Sequence, residues 1–242
     1  MSDSKPTWTV NSHKVLEQAS SLDRYNRWLI GNFRKYLKGK ILEVGAGLGG
    51  LAKHLPQNSL YLSDLNPEYF EHLKEEIGAQ TILLDIENEA PKKYQNFFDA
   101  ILSSNVFEHI ENDQNAFDNC YKLLKDNGHL CLFIPARAEI FGSLDRDMGH
   151  FRRYSLEEVK SKAKKSGYKI IEARYANLPG YFTWWGRGVL LGKLINKSGK
   201  SQTDNLLARI FDIFITPLLL LEKFYSPPFG QSVILVAQKP NS

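Results

Sequence analysis

Hydrophobic and polar positions follow two alternating patterns from residue 40 onward. Short runs rich in Val, Ile and Leu are separated by longer segments in which apolar residues recur every three or four positions. The apolar runs in this part of the chain are KILEV, LYLSDL, TILLDI, DAILSSNVF and HLCLFIP. Strands that alternate with helices are typical of a parallel sheet with crossover helices. The sequence therefore predicts an α/β fold built on a doubly wound sheet.

Three helical segments are predicted around these strands. Residues 11–37 favour one or two helices that cover one side of the loop after the first strand, because apolar residues recur there at helical spacing. Residues 113–128 favour a helix with one apolar face, and Gly128 is a typical helix stop. Ser155 and Glu158 form an SxxE pair, whose side chains can cap the first turn of a helix. The third helix is therefore expected to begin directly after Ser155.

A long insertion separates the last two predicted strands, YKIIEARYA and SVILVAQKP. Residues 178–229 are much longer than an ordinary connection, and Trp184 and Trp185 lie there beside basic residues. Only nine residues separate Asp212 from Glu222 in its most apolar run, whereas a membrane-spanning helix needs about twenty. We expect a helical insertion that is a lid over a binding site, a membrane-surface contact, a structural cap or a dimer interface.

Composition limits the class of protein. The length of 242 residues suits a single domain over residues 1–242, and a net charge of +4 is far from a nucleic-acid-binding composition. Cys120 and Cys131 form no disulfide framework, and no His or Cys spacing matches a metal-ligand pattern, so no metal site is predicted. The stretch MSDSKPTWTV lacks a basic head followed by an apolar run. The expected location is cytoplasmic, with peripheral contact at the inner face of the membrane as a further hypothesis.

A glycine loop follows the first strand, in the segment ILEVGAGLGGLAKHL. Gly45, Gly47 and Gly50 match GxGxxG, which by itself is typical of a dinucleotide-binding turn. Glu43 argues for a different ligand, because a carboxylate two positions before the loop repels a pyrophosphate and attracts a cation such as an amino group or a sulfonium.

Two further acids extend this pattern. Asp64 ends the second strand about twenty residues later, where an acid can accept both hydroxyls of a ribose, and Asp85 ends the third apolar run. Three strands that each end in an acid beside a glycine loop predict a pocket for a positively charged nucleoside without phosphates.

The motifs EVGAGLG, LYLSDLNP, LLDIEN and FDAILSSNVFEHI together resemble those of the class I S-adenosylmethionine-dependent methyltransferases. The resemblance runs from about Tyr25 to Lys239. It extends less specifically to a bacterial small-molecule or lipid-type subgroup, through YNRW, GSLDRDMGHFRRYS and PPFGQSVILVAQK. It implies a Rossmann-like sheet of seven strands with the last strand antiparallel. The implied cofactor is S-adenosylmethionine (SAM), with S-adenosylhomocysteine as product.

The resemblance also implies cofactor-binding residues. Asp64 would bind the ribose and Asp85 the adenine side, while Asn105 would lie near the methionine end. The expected cofactor-binding residues are Tyr25, Glu43, Gly45, Ala46, Gly47, Asp64, Leu65, Asp85, Ile86, Asn105 and Val106.

An acceptor hydroxyl or amine also needs a base. Candidates near the ends of the fourth and fifth strands are Glu108, His109, His150 and Tyr154. His150 is the preferred catalytic base and His109 the second, because the loop of His150 should face the acceptor and an imidazole ordinarily titrates near neutral pH. The alternative is that His150 and Arg153 only brace the loop. The expected substrate-binding residues are Arg153, Tyr154 and Trp184.

The function predicted from these features is SAM-dependent methyl transfer to a small-molecule or lipid-linked acceptor, at oxygen. Two alternatives remain: an NAD-type oxidoreductase and a non-catalytic SAM-binding protein. Glu43 argues against the first, and only the completeness of the motifs argues against the second.

Overall fold

The structure is a computed structural model that describes residues 16–17, 19–186 and 216–241. Its strands are β1 Ile41–Val44, β2 Leu60–Asp64, β3 Gln80–Leu83, β4 Phe98–Ser104, β5 Leu124–Pro135, β6 Lys169–Ala176 and β7 Ser232–Gln238. Its α-helices are α1 Asp23–Phe33, α2 Pro67–Glu76, α3 Asp113–Leu123, α4 Ser143–Asp147, α5 Leu156–Lys165, α6 Leu178–Trp185 and α7 Thr216–Leu219. Short 3₁₀ turns lie at Ala52–His54, Gln57–Ser59, Lys92–Tyr94, Phe107–His109, Ala138–Ile140 and Leu220–Lys223.

The seven strands form one sheet in the order β3-β2-β1-β4-β5-β7-β6. The first five strands in this order, from β3 to β5, pair in parallel with their neighbours. In contrast, β7 runs antiparallel to both β5 and β6. The predicted α/β fold with an antiparallel last strand is therefore confirmed. Because β1 lies between β2 and β4, the loops after these three parallel strands meet at one edge of the sheet.

Both faces of the sheet are covered. All residues of β1 and β2 are buried, as expected for central parallel strands. Adjacent residues alternate between two apolar clusters: Leu42 belongs to the cluster with Phe117, and Ile41 to the cluster with Trp28 and Phe33. The sheet is therefore a rigid support for the loops at its carboxyl edge.

The helix predicted over residues 113–128 ends earlier than expected. Helix α3 stops at Leu123, and Leu124 already pairs with Phe98 as the first residue of β5. The Nζ atom of Lys239 lies 2.8 Å from the carbonyl oxygen of Leu124, so a distant ammonium satisfies the backbone at this junction. The predicted helix stop at Gly128 is wrong, because strand pairing extends the chain before that residue. The predicted cap at Ser155 is confirmed, since its Oγ accepts a hydrogen bond from the Glu158 amide at 3.2 Å.

The N-terminal helical region covers the glycine loop, as predicted. A Cβ atom placed on Gly50 would lie 2.6 Å from the Cα of Ser20, and one on Gly47 would lie 3.4 Å from the side chain of Leu16. Helix α1 is anchored further along by Trp28, whose Nε1 donates to the carbonyl of Leu219 at 3.1 Å. The remainder of the predicted N-terminal segment, residues 11–15 and 18, lies outside the described residues.

The described ends of the insertion between β6 and β7 are helical. Both carboxylate oxygens of Glu222 accept hydrogen bonds at the start of α6, from the amides of Asn177 and Leu178 at 3.0 and 2.9 Å. Glu222 therefore joins the two described parts of the insertion. Residues 187–215, which include Asp212 and the first three residues of the apolar run that follows it, lie outside the described residues. Within the described part of the chain, none of the helices is long and apolar enough to cross a membrane.

Candidate active site

The glycine loop after β1 is held against β2 by its backbone. The amides of Gly45 and Ala46 both donate to the carbonyl of Ser63, each at 2.9 Å. Gly45 has a φ of 72°, and a Cβ atom there would lie 2.3 Å from Cγ2 of Val106. A side chain is excluded at Gly45 by both conformation and space. The loop therefore leaves its backbone close to the space above β1 and β4.

Glu43 lies beneath this loop as a buried carboxyl group. Only 3% of the residue is exposed, and its Oε2 has no hydrogen-bond partner among the described residues. Burial, followed by the charge of Asp64, raises the pKa of Glu43 to about 8. A buried carboxylate without a partner is unfavourable, so this arrangement fits a site that is completed by a cationic ligand. The amino group or sulfonium of SAM has the required charge.

Asp64 at the end of β2 is also buried but is already bonded. Its Oδ2 accepts from the amide of Gly47, and its Oδ1 accepts from the amide of Asn66, both at 2.9 Å. Burial raises the pKa of Asp64, and these backbone hydrogen bonds oppose the rise. Each carboxylate oxygen can accept a second hydrogen bond, so the group retains capacity for two ribose hydroxyls.

The third acid has a different local role. Asp85 follows the end of β3, and its carboxylate accepts from the amides of Glu87 and Asn88 and from the Asn88 side chain. It closes a turn rather than facing the ligand space with both oxygens. Ile86 next to it is buried, and Leu65 after β2 is 40% exposed.

The loop after β4 brings Asn105 and Val106 to the glycine loop. Asn105 has a φ of 52° and is exposed, while Val106 packs against Gly45. Tyr25 lies further round, where its hydroxyl accepts from Asn177 at 3.3 Å and its ring contacts Phe133. The expected cofactor-binding residues therefore come together at the carboxyl edge of the sheet, with Asp85 and Tyr25 at its margins.

A second cluster lies beside the loop after β4. Glu108 and His109 are in the 3₁₀ turn Phe107–His109, and His150 is in the loop after α4. The His150 Nε2 lies 3.8 Å from Oε1 of Glu108, and the rings of His109 and His150 meet edge to face with centroids 4.7 Å apart. The structure therefore brings together three of the four residues predicted as candidate bases.

Burial changes the protonation of this cluster. Glu108 is fully buried, and burial raises its pKa to about 7 although the charge of His150 opposes the rise. Burial and the neighbouring charge of His150 lower the pKa of His109 to about 4, against a hydrogen bond to the Gly149 backbone. His109 is therefore a neutral imidazole near neutral pH.

Asp145 connects the cluster to the insertion and was not identified from the sequence. It lies 3.0 Å from Nδ1 of His150, 2.7 Å from Nε of Arg153 and 3.1 Å from Nε1 of Trp184, and it also accepts from the amide of Gly142. Burial acts to raise the pKa of Asp145, but the hydrogen bond with His150 and the charge of Arg153 outweigh it, so the net pKa is lowered. An ionised Asp145 orients His150.

The three residues predicted to bind substrate occupy different positions. Trp184 stacks on the guanidinium of Arg153, with 4.8 Å between the Arg153 Cζ and the ring centroid. Arg153 is 4% exposed and is bonded to Asp145 and to the carbonyl of Ala136. Tyr154 is fully buried, with its hydroxyl 2.8 Å from Oδ2 of Asp113. Trp184 is therefore the member of this group that lies at the edge of the site, whereas Tyr154 lies in the core.

Comparisons with known proteins agree with this geometry. Residues 42–130 match the family model described as a methyltransferase domain. The chain is 31% identical over 148 residues to the malonyl-[acyl-carrier protein] O-methyltransferase of Acinetobacter baylyi. This alignment covers 59% of this chain and 56% of that protein. It is 33% identical over 120 residues to the 5-methylorsellinic acid synthase of Aspergillus terreus, which covers 43% of this chain and 5% of that protein. The chain thus spans less than two thirds of the length of either relative.

A solved structure shows the same fold. A SAM-dependent methyltransferase from Archaeoglobus fulgidus aligns with a TM-score of 0.57 at 17% identity, over 88% of this chain and 94% of that one. The family match covers the part of the chain that contains the glycine loop, and the solved structure shows that the fold is shared. The chain is therefore similar to SAM-dependent methyltransferases in its fold and, over residues 42–130, in its sequence.

Proposed function

We propose that the protein transfers the methyl group of SAM to an oxygen atom of a small-molecule or carrier-linked acceptor. The observation that carries this proposal is Glu43, a buried carboxyl group beneath a glycine loop and next to Asp64, with one oxygen that has no hydrogen-bond partner in the described part of the chain. SAM supplies an electrophilic methyl carbon on a sulfonium when it is bound. The protein's contribution is to hold donor and acceptor in line and to exclude water.

On the cofactor side, we propose that Glu43 binds the cationic end of SAM and that Asp64 accepts hydrogen bonds from the ribose. The glycine loop from Gly45 to Gly47 would pass along the cofactor, because no side chain fits at Gly45. Asn105 and Val106 would lie at the methionine end, where the loop after β4 meets this glycine loop.

On the acceptor side, we propose that His150 accepts the proton of the acceptor. Its Nδ1 faces the ionised Asp145, which favours a proton on Nδ1 and leaves Nε2 as the basic atom. The edge-to-face ring of His109 is a second candidate, and its low pKa keeps it neutral. Trp184 would form one wall of the acceptor space, held by Asp145 and Arg153.

The similarity to malonyl-[acyl-carrier protein] O-methyltransferase supports a carboxyl group on a carrier-linked chain as the acceptor class. Lipid-linked acceptors remain the second candidate, because Phe182 and Trp185 on α6 are 56% and 42% exposed next to the site. The two acceptor classes differ in the group that carries the methylated part, which is a carrier protein in the first and a lipid in the second.

The test has two steps. Calorimetry should first show binding of SAM and S-adenosylhomocysteine, with no binding of NAD. Transfer of radiolabelled methyl from SAM should then be measured with acyl-carrier-linked malonate, free dicarboxylates and lipid extracts. Transfer to the carrier-linked or lipid-linked compounds supports the proposal. Binding of SAM without transfer to any acceptor, together with unchanged SAM on prolonged incubation, would indicate a non-catalytic SAM-binding protein.

We further propose that α6 contacts an anionic membrane surface when the acceptor is lipid-linked, since exposed aromatic residues favour the interface. Co-sedimentation with liposomes of increasing anionic lipid content should be compared between the unchanged protein and a variant with Phe182→Ser and Trp185→Ser. A loss of sedimentation in the variant supports this contact. Equal recovery of both proteins in the supernatant at every composition would exclude it.

A further inference from the structure

We infer that Glu108, His109 and His150 form a binding site for a divalent transition-metal cation on the acceptor side of the active site. Their ligand atoms, a carboxylate oxygen and two imidazole nitrogens, all lie within 4.8 Å of one another. The residues come from two different loops, so this cluster exists only in the folded chain.

The first observation is the state of the Glu108 carboxyl group. Both of its oxygens are buried, and neither has a hydrogen-bond partner among the described residues. The Nε2 of His150 lies 3.8 Å from Oε1 of Glu108, which is beyond hydrogen-bond distance. Buried polar atoms are nearly always bonded to protein, water or an ion. A cation between Glu108 and the two imidazoles would satisfy these oxygens.

The second observation is that each histidine is already oriented by a group outside the cluster. The Nδ1 of His150 lies 3.0 Å from Asp145, and His109 has a hydrogen bond to the Gly149 backbone. Metal-binding histidines almost always use their second ring nitrogen in this way, with a carboxylate or a backbone carbonyl as the partner. The cluster therefore has the outer hydrogen bonds of a metal site as well as its ligands.

The ligand types indicate the class of cation. Two imidazole nitrogens and one carboxylate oxygen suit Zn²⁺ or a neighbouring first-row ion, whereas Mg²⁺ and Ca²⁺ prefer oxygen ligands. Ligands about 2.1 Å from a tetrahedral zinc ion are roughly 3.4 Å apart, so the 3.8 Å between His150 and Glu108 needs only a small closure. Three protein ligands leave a coordination position open for an acceptor oxygen.

The role of the cation in methyl transfer rests on the proposed function, but its binding does not. When a cation is bound, the Nε2 of His150 is a ligand rather than the proton acceptor. A coordinated acceptor oxygen would then lose its proton to solvent more readily, because a divalent cation lowers the pKa of a bound hydroxyl or water.

The binding test uses the full chain without an affinity tag, after dialysis against a chelator. Co²⁺ is titrated in, and its visible absorption reports nitrogen coordination, while Zn²⁺ is used to displace it and bound metal is counted by mass spectrometry. We expect one Co²⁺ ion to bind per chain, and we expect Mg²⁺ to weaken Co²⁺ binding only when it is in large excess. Glu108→Gln and His150→Gln should each lower Co²⁺ affinity by about 100-fold or more, and Asp145→Asn by about 10- to 100-fold.

His129→Gln is the matched control, because His129 lies in β5 towards the opposite end of the sheet and stacks on Tyr36. It should bind Co²⁺ as the unchanged protein does. SAM affinity and thermal melting are measured on every variant, so that loss of folding is distinguished from loss of a ligand. If the variants melt early, the cobalt spectrum of the unchanged protein still decides whether histidine nitrogen is coordinated.

The inference is overturned by the absence of stoichiometric binding in the unchanged protein, or by retention of full affinity in both Glu108→Gln and His150→Gln. Metal binding without methyl transfer would leave this site intact and refute the proposed function. If methyl transfer is unchanged in the chelator-treated protein, the result would support the proposed function. It would also show that the cation has no role in methyl transfer.

Discussion

Glu43 and Glu108 are two buried carboxyl groups at the carboxyl edge of the same sheet, yet they face different surroundings. Each has a raised pKa, chiefly through burial, and each has an oxygen without a partner among the described residues. Glu43 lies beneath glycine backbone and next to another acid, whereas Glu108 faces two imidazoles. The first arrangement suits an organic cation with hydrogen-bond donors, and the second suits a metal ion. We therefore propose different ligands for two similarly buried carboxyl groups, because the neighbouring groups differ.

The largest expected effect concerns the ion pair beside Glu108. Arg153→Met leaves the buried charge of Asp145 without its guanidinium partner, and loss of one member of a buried pair typically destabilises a protein by about 3 to 5 kcal/mol. Glu43→Gln removes an acid whose charged form is disfavoured by burial, so it should not lower the free energy of unfolding at pH 7. Urea denaturation of both variants checks this contrast, and equal losses would contradict it.

The next effect is on turnover. His150→Ala should lower kcat by about 100-fold or more, because it removes the side chain proposed to accept the proton of the acceptor. The affinity for SAM should stay the same. Steady-state kinetics and calorimetry measure the two quantities separately. Near-normal kcat at neutral pH would move the role to His109 or reduce catalysis to alignment of the reactants.

The cofactor side can be tested with a pair of acids. Asp64→Ala should weaken SAM binding about tenfold or more, since a hydrogen bond to a charged group typically contributes about 1.5 to 3 kcal/mol. Asp85→Asn is the matched comparison, because the Asp85 carboxylate already closes its own turn, and we expect a change of less than about threefold. Calorimetry on the two variants decides which acid binds the cofactor, and a larger loss for Asp85→Asn would reverse the assignment.

The smallest effect is a pH dependence of cofactor binding. The pKa of Glu43 is about 8 without ligand, so binding a cation requires loss of a proton below that pH, and affinity should rise about fivefold from pH 7 to pH 8. Calorimetry in two buffers of different ionisation enthalpy should detect the released proton. Glu43→Gln should remove both the proton release and the rise in SAM affinity between pH 7 and pH 8. If the affinity of that variant still rises over this range, the pH dependence belongs to another group.

Glu43 also predicts the sign of a stability change. Its pKa is raised in the folded protein, so the folded state holds more protons than the unfolded state between about pH 4.5 and 8. The contribution of Glu43 to stability is therefore complete below about pH 4.5 and is lost as the pH rises through about 8. In Glu43→Gln, the free energy of unfolding should fall less steeply over this range in urea denaturation curves.

The fold could be predicted largely from the sequence, whereas the cofactor-binding residues remain predictions. The strands and the glycine loop follow from local patterns, because strand periodicity and glycine conformation depend on nearby residues, whereas the antiparallel last strand was implied by the family resemblance. Glu43 and Asp64 could be placed at the same edge of the sheet because the ends of adjacent parallel strands meet there. The end of helix α3 could not be predicted, since Leu124 is drawn into β5 by pairing with Phe98 and its carbonyl is bonded by Lys239.

The sequence by itself determined the pattern of strands and helices, the glycine loop and the edge of the sheet where Glu43 and Asp64 lie, because these depend on short motifs and on strand order. Only the tertiary structure decided which side chains lie around His150. No spacing along the chain links Glu108 and His109 to His150, and the absence of a ligand pattern led to the prediction of no metal site. Asp145 connects His150, Arg153 and Trp184 from separate segments. The physical reason is that burial and side-chain contacts across loops set the charge and orientation of these groups, and both arise only when the sheet places the loops together.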